Sequence, residues 1–200
     1  MSYSSTDSDS PSITSEAICD GLLLRHKSQS AKSDHPDPSS FLQYLIENRL
    51  YVDASKVLSR MLSARQGVWW ACLCVEHVSS QIDNSLSPAE ENALRAAAEW
   101  VQQPSDAHLA ACTELSGQLA TASSARSLCR AVECAGSSEP PFEQLDDGDP
   151  EGACAAVARV ALIGVTQIVH RTRRRNYLEF LRMGIEVYHR DNGWSDSTNS

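Results

Sequence analysis

Cys72, Cys74 and His77 are the residues whose types and spacing come nearest to chemistry in this chain. Two thiols and an imidazole so close together are the raw material of a zinc site, or of a cysteine nucleophile with a histidine base. Zinc ligands converge tetrahedrally, commonly from Cys-x-x-Cys spacing. On a helix Cys74 and His77 lie three apart on one face, but Cys72 points about 200° away from Cys74. A metal site here needs further ligands, such as Cys112, Cys129 or Cys134. A catalytic pair needs a local signature, which the neighbouring residues lack. Packing is the better account, because free cysteine behaves as a small buried hydrophobe. No metal, cofactor or catalytic residue is expected.

Three further sets carry possible function. Trp69, Trp70 and Trp100 could line a ligand pocket, although such residues more often anchor a core. Arg171, Arg173, Arg174 and Arg175 form the strongest electrostatic feature. Guanidinium groups at this density suit an acidic protein surface or a phosphate group. The plainer readings are a solvated helix face or internal pairing with Asp146, Asp147, Asp149 and Glu151. A helical hairpin over 153–191 puts those acids at the far end from the arginines, which disfavours internal pairing. Trp194, in a polar terminal stretch, is either a staple that folds back or a contact for another protein. Glu76 and Glu99 have no partner at acid–base spacing, and there is no P-loop, dinucleotide fingerprint, His-Glu-x-x-His or nucleophile elbow.

The elements that position these residues read as helices throughout. Ser40-Phe41-Leu42-Gln43 has the pattern of a capping box and predicts a helix start at Ser39 or Ser40. Ala54, Val57, Leu58, Met61 and Leu62 then follow at amphipathic spacing. Residues 66–81 are apolar nearly all the way round, which predicts a central helix. Ser87-Pro88-Ala89-Glu90 is a strong helix start: serine caps, proline takes the first turn and Glu90 completes the box. Ser105-Asp106 opens a weaker helix in which Gly117 is unfavourable, and a short one follows Ser123-Ser124. Gly136 to Gly148 reads as an acidic loop, and Asp149-Pro150 as a further helix start. The apolar run 153–169, interrupted by Arg159, Thr166 and Gln167, is too polar for a bilayer span of about 20 residues and predicts a buried helix. A last helix carries Tyr177, Leu181, Gly184, Ile185 and Tyr188 on one face and ends at Asn192-Gly193. No stretch alternates as a strand does. The expected architecture is all-α: about seven packed helices over residues 39–194, after a disordered Ser-rich tail 1–38 and before a frayed end 195–200. Within that tail only Ala17 to Leu24 has the pattern for a brief helix or docking segment.

The chain has 200 residues, enough for one domain, and an apolar fraction of 42 %. Its formal charge of −9 argues against a general nucleic-acid or anionic-membrane binder. The charge is uneven: seven acids and no base lie between Glu133 and Glu151, directly before the arginine-rich end. The first twenty residues lack a basic start and an apolar core of the secretory type, and the seven cysteines are an odd, irregular set. Reduced thiols and a cytoplasmic location are therefore expected.

Tyr51-Val52-Asp53-Ala54, Val68-Trp69-Trp70-Ala71-Cys72-Leu73-Cys74, Leu86-Ser87-Pro88-Ala89-Glu90, Ala98-Glu99-Trp100-Val101 with Pro104-Ser105, and Phe180-Leu181-Arg182-Met183-Gly184-Ile185 together resemble an uncharacterised bacterial all-helical domain family. The likeness runs from about Ser39 to Trp194. It implies a cytoplasmic helical protein that accompanies secretion or contractile-injection components, and it brings no activity or catalytic residue. The expected function is a non-enzymatic adaptor that binds an acidic protein through Arg171, Arg173, Arg174, Arg175 and Trp194. The alternatives are a cysteine-dependent enzyme or thiol sensor, and a small-ligand-binding domain.

Overall fold

The computed structural model describes residues 13–81, 86–136, 153–167 and 173–190. These residues contain helices and no strand: α1 (Ser15–Ile18), α2 (His26–Ala31) with a 3-10 turn at Lys32–Asp34, α3 (Pro38–Glu47), α4 (Tyr51–Met61), α5 (Ala64–Gln81), α6 (Pro88–Gln102), α7 (Asp106–Gln118), α8 (Ser124–Gly136), α9 (Ala153–Gln167) and α10 (Arg173–His189). The all-α class is as expected.

Local sequence explains most of the boundaries. Ser87 caps α6, with the serine side chain and the Glu90 carboxylate each satisfying the other's backbone N–H, and Pro88 sits in the first turn. Ser105 caps α7 by accepting from the His108 N–H. The start of α3 lies earlier than Ser39 or Ser40. Asp37 is the cap, accepting from the Ser40 N–H at 2.7 Å, and Pro38 follows it. Asp-Pro outcompetes the serine box because a carboxylate is a strong acceptor and proline has no N–H to leave unsatisfied. Gln43 instead donates to Glu47 one turn on. Arg49 takes the left-handed conformation (φ 60°) that ends α3, while Leu50 N–H reaches back to the Leu45 carbonyl at 2.8 Å.

Two helices form the centre. α5 packs against α6, α8, α9 and α10, and α9 packs against α4, α5, α8 and α10. Val68, Trp70, Ala71, Cys72, Cys74 and Val75 of α5 are all buried, as its all-round apolar pattern requires. Val157, Val160 and Ala161 bury the facing side of α9. Arg65 links neighbouring helices, its guanidinium donating to the carbonyls of Val101 (2.5 Å) and Gln102 (2.6 Å) at the α6 C-terminus. Those carbonyls have no intrahelical partner, and a cation there also offsets the negative end of the helix dipole.

The disordered tail expected over 1–38 does not describe residues 13–38, which form α1, α2 and the 3-10 turn against α3 and α4. Polar ties hold this strap. Ser28 is fully buried and donates to Asp53 Oδ2 at 2.5 Å, and Arg25 Nε lies 3.3 Å from the same oxygen. Lys56 Nζ reaches the Leu23 carbonyl at 2.6 Å. Cys19 and Ala31 add apolar burial.

Candidate functional site

The thiols converge, but inward. Cys72 on α5, Cys112 on α7 and Cys129 on α8 are all buried, and Cys112 and Cys129 share a hydrogen bond between their side chains. That bond pushes the Cys129 thiol far up and lowers the Cys112 thiol. Burial away from water raises Cys72 and Cys74, and pushes Cys19 up to about 11. His77 does not turn towards Cys74. Its ring packs edge-on to Phe180 of α10, centroids 5.5 Å apart. Among the described residues no group of three or more His, Cys, Asp or Glu side chains is arranged to hold a metal ion. Thiols in this setting are poor nucleophiles, because the thiolate is the reactive form and nothing here stabilises it in contact with solvent.

A measurable consequence follows from the raised thiols. Above pH about 8.5 the cysteines of an unfolded chain ionise while Cys19, Cys72, Cys74 and Cys129 stay protonated in the fold. The unfolded state then binds fewer protons than the native one, so stability falls as pH rises from there. Melting temperature measured between pH 7.5 and 9.5 should decline, and Cys72→Ala should make that decline shallower. Mass-resolved thiol labelling at neutral pH should modify the half-buried Cys134 before the five buried cysteines.

The tryptophans anchor the core. Trp70 is wholly buried and its indole N–H donates to the Phe180 carbonyl at 2.8 Å, while Trp100 is buried on α6 and Trp69 packs partly buried on the core. None of the three lines the cleft between α7, α8 and α9 described below.

The arginine-rich end is split by the fold. Arg173 opens α10, Arg174 and Arg175 are exposed in its first turn, and Arg171 and Trp194 lie outside the described residues. The acids Asp146, Asp147, Asp149 and Glu151, the loop 136–148 beyond Gly136, and the Asp149-Pro150 and Asn192-Gly193 boundaries also lie outside them. Arg174 is fixed at its base, Nε donating to the Tyr51 hydroxyl at 3.2 Å, and Tyr51 stacks on Tyr177 at 5.6 Å. Arg175 and Leu178 share the outer side of α10 with Arg182, which pairs with Glu179 at 2.6 Å and with Glu186. The Arg182 guanidinium holds the Glu179 carboxyl below its usual range. Leu178 and Tyr188 are among the few large apolar side chains left open to solvent. The outer side of α10 thus combines arginines with apolar contact area.

A second basic feature was not singled out from the sequence. Arg126 and Arg130 on α8 and Arg159 on α9 line a cleft of about 400 Å³. The signal available was weak: Arg126 and Arg130 stand four apart, like any solvated face, and Arg159 reads only as an interruption of an apolar run.

The fold and these surfaces define a class: an all-helical domain with a buried thiol core and basic outer features, and no recognisable catalytic constellation among the described residues. The chain belongs to the DUF6931 family, a family of unknown function, which it matches over residues 41–188. No curated protein and no solved structure matches it. No described helix is long and apolar enough to cross a membrane.

Proposed function

We propose that this protein is a non-enzymatic helical adaptor of the bacterial cytoplasm that docks an acidic protein surface on the outer side of α10. The observation that carries this reading is the exposed pairing of Arg174 and Arg175 with Leu178 on one helix, in a chain of net charge −9. Arginine forks bind carboxylates bidentately, and an apolar side chain beside them supplies burial, the mixture typical of protein contacts. The burial of the thiols weighs against the cysteine-enzyme and thiol-sensor alternative. A component of a secretion or contractile-injection assembly is the partner that the family resemblance suggests.

Charge reversal tests the reading. Arg174→Glu with Arg175→Glu should reduce capture of the cognate protein at least tenfold, with the loss of two charged contacts falling mainly on association rate and salt dependence. Melting temperature should stay within about 2 °C of wild type, as for other exposed substitutions. Unchanged capture would sink the proposed surface, and a collapse of stability would mark the arginines as structural.

A further inference from the structure

We infer that the cleft between α7, α8 and α9 is a binding site for the phosphate group of a small phosphate monoester, separate from the protein-docking side of α10. Its lining is Ser116, Thr121, Arg126, Ser127, Arg130 and Arg159, with Ala155 and Ala156 forming an apolar wall. No carboxylate is among these lining residues, although acids outnumber bases in the chain by 26 to 17.

The arginines are arranged for an oxyanion. Arg126 is braced by the Thr121 hydroxyl at 2.7 Å, and Arg130 by Glu133 at 3.0 Å. Bracing fixes the direction of a guanidinium and leaves its remaining N–H groups for a ligand. These two side chains stand one turn apart on α8, and Arg159 reaches the same cleft from α9. Arg159 has no hydrogen-bond or ion-pair partner among the described residues.

A second, independent observation points to a ligand. Ser116 is only 7 % exposed, lines the cleft, and makes no hydrogen bond among the described residues. A hydroxyl so placed needs a partner, and a phosphate oxygen supplies one. Three guanidinium groups favour a dianionic phosphate over a singly charged carboxylate, through charge and through bidentate geometry. The volume falls in the range of small-molecule sites, so space remains along Ala155 and Ala156 for the organic part of a monoester.

The test titrates the full chain with inorganic phosphate and with phenyl phosphate, at constant ionic strength held with sodium chloride, using calorimetry and melting temperature. The expected result is saturable binding of both, with phenyl phosphate at least as tight. Arg159→Gln should weaken binding at least tenfold and Ser116→Ala should weaken it several-fold, each with a ligand-free melting temperature close to wild type. Arg175→Gln should leave phosphate affinity unchanged. Four results would overturn the inference: a shift reproduced by chloride alone, wild-type affinity in Arg159→Gln, exclusion of phenyl phosphate, or binding that emerges only after Asp146, Asp147 and Asp149 are replaced by Asn. The last would mean that the chain's own acids fill the cleft.

Discussion

Gly184→Ala should destabilise the fold by about 2 kcal/mol, whereas Gly117→Ala, the same change in another helix, should stabilise it by about 0.5–1 kcal/mol. The opposite signs come from what a methyl group meets. At Gly184 an added Cβ falls 2.6 Å from Leu58 Cδ2 and 2.8 Å from Trp70 Cε2. Neither neighbour can yield easily. Leu58 and Trp70 are completely buried, and Trp70 is tied by its indole N–H to the Phe180 carbonyl. The helix-propensity gain of about 1 kcal/mol is therefore outweighed by overpacking of about 3 kcal/mol. At Gly117 nothing lies within 4 Å, so only the propensity gain is left. Denaturant titration of both variants checks the pair, and equal signs would show that α10 does not approach α4 and α5 this closely.

Asp53→Ala should release the N-terminal strap and cost about 2–3 kcal/mol. Asp53 is 1 % exposed and its Oδ2 collects the Ser28 hydroxyl, the Arg25 backbone N–H and the Arg25 guanidinium. Hydrogen bonds to a charged acceptor contribute about 1.5–3 kcal/mol, and the half-exposed Arg25 adds little beyond that. In a chain of this length that is a fall in melting temperature of roughly 5–10 °C. The specific signature is at Cys19, which is buried beneath the strap in the wild type. Its labelling should accelerate at least tenfold in Asp53→Ala, while Cys72, Cys74, Cys112 and Cys129 remain protected. Protection of Cys19 in the variant would mean that apolar contacts hold the strap without the carboxylate.

These contrasts show which parts of the molecule the sequence makes legible. Features written over neighbouring residues are readable: the Ser87–Glu90 capping box, the all-round apolar α5, and the inert packing of Cys72 and Cys74. Features made by residues far apart are not. Ser28 and Asp53 are 25 positions apart, and nothing in a serine-rich stretch distinguishes a hydroxyl bound for a buried carboxylate from one facing water. Arg65 reaches 36 positions to cap α6. The cleft arginines come from two helices, each ordinary on its own. Gly184 is intermediate: its place on the packed face of the last helix is visible, but its need for the absence of a side chain appears only when Leu58 and Trp70 are in position. The arginine cluster was legible as a charge run, yet only the fold shows that Arg174 is anchored on Tyr51 while Arg175 stands free on the outer side.

The most direct test of the adaptor reading is site-specific photocrosslinking in the native cells, with a photoreactive phenylalanine analogue replacing Leu178. The account predicts one dominant covalent adduct with an acidic-surfaced protein, lost when Arg174→Glu and Arg175→Glu are added, and absent when the analogue replaces the exposed Gln118 on α7. No adduct at position 178, or one that survives the charge reversal unchanged, would contradict it.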